Sequence, residues 1–149
     1  MCKRERLSVV LFLLLIGSPS QPLLSNVAEN VHATLIPGSG TYSRKISTEN
    51  PQAQAFFDQG LRFAWGFYFP ESIASYQEAA RLDPSHPMPY WGMAHAMGPN
   101  PNSRYARMPD DPKGEGLKAI KNALARIDRA SPSAAELIKA MYVLYDKDA

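Results

Sequence analysis

Three histidines, one cysteine and six methionines are the side chains of this 149-residue chain that could hold a soft metal ion. A helix presents two ligands on one face when they are spaced i and i+4. His32, His86 and His95 form no such pair with one another or with a carboxylate. Met88, Met93, His95 and Met97 lie close together and would suit copper in an exported protein. Helix geometry separates them. At about 100° per residue, His95 points roughly 200° away from Met93. Met93 and Met97 share a face, and a polarizable, flexible side chain at that spacing reads as packing. No metal site is expected.

The residues that could run a reaction are equally sparse. Asp110-Asp111 is a carboxylate pair, but it directly precedes Pro112, where a helix cap accounts for it. Ser, His and Asp are present without a nucleophile-elbow glycine frame. Gly114-Glu115-Gly116 is too short to cradle a phosphate. Asn100-Pro101-Asn102-Ser103 is not a glycosylation acceptor, because proline follows Asn100 and Arg104 follows Ser103. No catalytic residue and no cofactor is expected. The 99–112 stretch, with Arg104, Tyr105, Arg107 and Met108, is long enough for a functional loop, and equally reads as a tolerated insertion.

The amino terminus carries Lys3, Arg4 and Arg6, then an apolar run over 7–16 broken only by Ser8. That run is a signal-peptide core and falls short of the about 20 residues a membrane span needs. Export to a periplasm or the outside is expected, with residues 1–28 as the signal and an uncleaved anchor as the alternative. The only cysteine, Cys2, precedes the run and would leave with it. Without residues 1–28, which hold Lys3, Arg4, Arg6 and Glu5, the 16 basic and 14 acidic residues fall to 13 each. A neutral chain without a basic stripe is not built for nucleic acid.

The elements that must position any site lie further on. Residues 29–49 hold Pro37, Gly38 and Gly40 and show no helical period, which predicts a disordered linker. A helical domain is expected over 50–149. Asn50-Pro51 is an N-cap followed by proline at the first helical position, opening a helix to about residue 67. Pro70-Glu71 opens a second, which ends at Asp83-Pro84. A third runs over 87–97 and stops at Gly98-Pro99. Asp111-Pro112 opens a fourth with Leu117, Ile120, Leu124 and Ile127. Ser131-Pro132 opens a fifth with Leu137, Ile138, Met141, Leu144 and Tyr145. No segment alternates with period two, so the predicted class is all-α.

Several positions recur 34 residues apart: Phe56 with Tyr90, Gly60 with Ala94, Phe63 with Met97. Tyr76 and Ala79 follow as the aromatic and small residues of a second helix, and Pro84 as a terminating proline. On these residues the chain resembles the tetratricopeptide-repeat family over about 53–132. It is similar to the amino-terminal part of longer exported bacterial repeat proteins that carry a segment like Tyr90-Trp91-Gly92. The resemblance implies a helix-turn-helix solenoid of about two repeats plus a terminal helix. Ser72 departs from the family's alanine and Gln59 from its leucine. The second helix of the second repeat arrives about 13 residues late if Ala119 and Ala123 are its packing positions.

In such a solenoid the first helix of each pair lines the concave face. The resemblance implies that Gln54, Phe57, Leu61, Ala64 and Trp65, then Met88, Trp91, His95, Gly98 and Pro99, face that groove. The set is apolar and aromatic. Leaving Phe57, Leu61, Trp65 and Trp91 in water would forgo roughly 1.5–3 kcal/mol each, so something should cover them. A partner protein or peptide, the chain's own linker or further repeats could do so, and each residue singly could be core. Arg62 is the nearby cation, outside the set, which argues for an apolar or aromatic ligand segment over an acidic chain end. The expected function is a protein-binding scaffold. The alternative is an amino-terminal structural piece of a longer repeat array.

Overall fold

The structure, a computed structural model, describes residues 32–98 and 108–146, all within the compact unit His32–Ala149. The expected signal, Pro99 and most of the long loop lie outside the described residues. Among those described there are five α-helices and no strand. They are α1 Pro51–Trp65, α2 Phe69–Leu82, α3 Pro87–Met97, α4 Pro112–Leu124 and α5 Pro132–Asp146. A 3-10 turn, Ile127–Arg129, joins α4 to α5. Ile127 therefore sits on that turn rather than on α4, because α4 closes at Leu124 with Ala125 as its cap.

The proline starts are where the sequence places them, except that α2 opens one residue before Pro70, at Phe69, without a side-chain cap; side chains complete the caps of α1, α3, α4 and α5. Asn50 Oδ1 accepts from the Gln52 and Ala53 amides at 3.0 and 3.2 Å. Asp111 accepts from the Gly114 amide at 2.9 Å, and Ser131 from Ala134 at 3.3 Å. The cap of α3 is His86, whose Nδ1 accepts from the Met88 amide at 3.2 Å. Each such acceptor satisfies an amide that the first helical turn leaves without a partner.

Each helix packs mainly on its chain neighbours, with further contacts of α3 on α1 and on α5. Tyr76 of α2 is the hinge of the first three helices. A Cβ on Gly60 of α1 would come within 2.7 Å of its ring, and one on Gly92 of α3 within 2.4 Å. Only glycine at both sites lets one aromatic ring lie between two backbones. Tyr145 of α5 does the same over Gly116 of α4, and its hydroxyl donates to the Ala94 carbonyl at 2.6 Å. Ser72, the departure from alanine, donates its hydroxyl to the Gly60 carbonyl at 2.8 Å.

Residues 33–49 have no regular secondary structure, yet the described segment is not the disordered linker the composition suggests. It lies along α1 as a strap, with Ile46 buried in the core. Proline, glycine and the lack of a helical period exclude a helix there, but they do not exclude an extended chain whose backbone is held by side chains. Among the described residues no helix is long and apolar enough to cross a membrane.

Candidate functional site

Four polar side chains of α1 hold the strap. Gln59 is 2 % exposed and fully used: Oε1 accepts from the Ile36 amide at 2.7 Å, and Nε2 donates to the Thr34 carbonyl and Ser75 Oγ. Asp58 accepts from Ser43 Oγ at 2.7 Å, from the Arg44 amide at 2.9 Å and from Gln54 Nε2 at 3.0 Å. Gln54 also brackets the backbone, accepting from the Ile46 amide and donating to the Arg44 carbonyl. Arg62 donates to Ser39 Oγ and to the Tyr42 carbonyl. Positions 54, 58 and 62 are each one turn apart and form a stripe. Gln59, the departure from leucine, lies beside it. Buried polar groups of this kind are stable only when satisfied, and here the strap's backbone satisfies them.

The strap's far end joins two more elements. His86 Nδ1 already accepts from Met88, so its proton sits on Nε2, which donates to Ser47 Oγ at 3.1 Å. Ser47 in turn donates to the Arg129 carbonyl at 3.0 Å. Thr48 donates to Asp83 at 2.7 Å. Burial, assisted by the Arg129 charge, pushes the His86 pKa below its ordinary value, with Asp83 opposing.

Most of the groove inferred from the repeat is interior. Phe57, Leu61, Ala64, Met88, Trp91 and Gly98 are buried, and Phe57 packs on Tyr76 with ring centroids 5.5 Å apart. They are buried because α1, α2 and α3 pack on one another, and they offer no surface to a partner as they stand. Gln54 faces the strap. Met93 and Met97 also belong to the core. Among the described residues no group of His, Cys, Asp and Glu is placed to hold a metal.

Three described residues of the set still meet solvent: Gln54, partly covered by the strap, and two at the aromatic end of α1. Trp65 is 68 % exposed at the end of α1, and His95 is half-buried beside it. The His95 ring stacks on Trp91 at 5.2 Å and meets Trp65 at 6.4 Å. Burial lowers its pKa. Trp91 Nε1 and His95 Nδ1 have no acceptor or donor among the described residues.

No family model, characterised protein or solved structure matches this chain.

The residues that sequence reasoning missed follow Trp65. The helix ends in a Schellman-type turn: the Tyr68 amide donates to the Phe63 carbonyl and the Phe67 amide to Ala64. That turn puts one residue in the left-handed region, where glycine is usual. Here Phe67 occupies it, at φ 63°, although Gly66 is its neighbour. Phe67 and Tyr68 are 58 % and 61 % exposed. A bulky residue at positive φ is a costly choice, and such strain collects at functional sites. The signal was the cluster Trp65, Phe67, Tyr68 and Phe69, interrupted only by Gly66, which holds more rings than one helix face can bury.

Proposed function

We propose that this chain is an exported helical-repeat protein of the tetratricopeptide type that docks a partner protein on the aromatic end of α1. The 34-residue recurrences, the glycine-flanked Tyr76 and the contacts of α3 with both α1 and α5 support the repeat. The charged and apolar pattern of residues 3–16 supports export. The observation that carries the docking is the α1–α2 turn, where Phe67 is held at φ 63° and Trp65, Phe67 and Tyr68 are left largely in water. Left-handed geometry costs a non-glycine residue roughly 1–2 kcal/mol, and aromatic anchors are the commonest binding hot spots. Selection for stability alone would place glycine at 67 and polar groups around it. No catalytic group or cofactor is assigned.

Phe67→Gly separates stability from docking. It should raise the melting temperature and, in the same chain, weaken partner capture. A photo-crosslinking residue at position 65 or 68 in the producing cell should trap one discrete partner, and one at Lys118 should not. Equal labelling from 118 and 65 sinks the reading.

The structural-piece reading has one observation in its favour: Val143 and Leu144 on α5 are about half exposed. A further helix pair of a longer array would cover them. Cross-links from 144 and none from 65 would favour it.

A further inference from the structure

Resting on the docking reading above, we propose that the partner segment carries an acidic residue beside an aromatic one, and that both enter the cleft between the strap's turn and the end of α1. The cleft has a volume of about 570 Å³ and is lined by Ser39, Gly40, Thr41, Tyr42, Arg62 and Trp65. That is room for about two side chains, within the usual range for ligand clefts.

Its charge is unbalanced. Arg62 uses Nε and Nη1 on Ser39 and Tyr42, and no carboxylate lies within ion-pairing distance of it among the described residues. Asp58 is one turn away on the same stripe, but its oxygens are taken by Ser43, Arg44 and Gln54. A guanidinium carries five N–H groups, so donors remain for a ligand. The Gly40 and Thr41 amides have no acceptor among the described residues either. Donors of this kind select a carboxylate.

The walls are apolar. Trp65 and Tyr42 are 68 % and 54 % exposed. Gly40, at φ 107°, lets the strap backbone rest on the Arg62 stem, since a Cβ there would lie 3.2 Å from Arg62 Cδ. The strap thus fixes the guanidinium beside the indole. The cleft is open on its outer side, which lets a chain run on past the guanidinium, and the carboxylate the proposal assigns is that of an internal Glu or Asp.

The test is amide NMR of the full, isotope-labelled chain with three probes: N-acetyl-Glu-Trp-amide, N-acetyl-Gln-Trp-amide and N-acetyl-tryptophan. The first should shift the Trp65 indole and the Gly40 and Thr41 amides. The Gln probe should bind about tenfold more weakly, the loss of one charge-assisted pair. Added salt should weaken the Glu probe and leave the Gln probe unchanged. Trp65→Ala, which leaves the Arg62 bonds to the strap in place, should weaken the Glu probe about tenfold with the Ile36 and Ile46 amides unmoved. Equal binding of the Glu and Gln probes overturns the proposal, as do shifts confined to Val143 and Leu144. Tighter binding of N-acetyl-tryptophan than of the Glu probe overturns the internal source in favour of a chain-end carboxylate. A cross-link from position 65 that persists through any of these failures leaves the docking reading standing.

Discussion

At the residue scale, two buried polar groups make opposite predictions. The Tyr76 hydroxyl is wholly buried without a partner among the described residues. An orphaned polar group costs desolvation and returns nothing. Tyr76→Phe keeps the ring between Gly60 and Gly92, so chemical denaturation should show stability unchanged or raised by up to about 1 kcal/mol. Gln59 is the reverse case, with every donor and acceptor engaged. Gln59→Leu would restore the residue that the repeat pattern prefers, yet it should cost on the order of 1–2 kcal/mol, because Ser75 and the strap lose their partner. A neutral or stabilised Q59L would show that the strap contributes nothing to the fold. The sequence makes Gln59 visible as a departure, but its reason is not local: the Thr34 and Ile36 groups it serves are more than 20 residues away.

At the element scale, helix starts are the most legible part of this chain. Proline fixes φ and needs no amide partner, so Asn50-Pro51, Asp111-Pro112 and Ser131-Pro132 mark starts that lie where they are read. The cap of α3 was not legible, because histidine is a rare cap and becomes one only when its Nδ1 is unprotonated. That gives α3 a pH dependence. The folded chain holds the His86 pKa below 6.5, so below that pH the unfolded chain binds more protons and stability falls. The loss ends once pH passes the folded-state value. His95, also lowered by burial, adds a share of the same sign. Glu78, lowered first by its Arg81 bonds, and Asp83, where burial is outweighed by the Thr48 and Ser85 hydroxyls together with the His86 and Arg129 charges, lose their contributions only further down, through the carboxylate range. Thermal melts at pH 7.5 and 5.5 should therefore differ, with the lower temperature at 5.5. In His86→Asn, which retains a cap acceptor, that difference should shrink to the share left by His95. An undiminished difference in H86N would remove His86 as its source.

At the scale of the whole molecule, the strap decides how much of this surface exists. Composition read residues 29–49 as a linker because prolines, glycines and the absence of a period exclude helix. It could not show that Gln54, Asp58, Gln59 and Arg62 would supply the missing backbone partners, since the pairings join residues 8 to 25 positions apart. Which groove positions are core and which are surface was not legible for a related reason. Repeat positions say which way a side chain points but not whether a neighbouring helix already stands there, so Phe57, Leu61, Met88 and Trp91 went to the core and Trp65 stayed outside. Hydrogen exchange on the full chain tests the strap directly. The Ile36, Arg44 and Ile46 amides donate to Gln59, Asp58 and Gln54. They should exchange at least about a hundredfold more slowly than a free peptide, while Gly40 and Thr41, between them, exchange freely. Gln54→Ala adds a second arm. If the strap opens as one unit, protection at Ile36 falls together with that at Ile46, and the Arg62–Trp65 cleft loses its wall whenever the strap leaves. If only Ile46 loses protection, the strap is held segment by segment, and the cleft survives local opening at its far end. Free exchange at all five amides in the native chain would restore the linker reading, and with it a bare α1 whose polar stripe faces water.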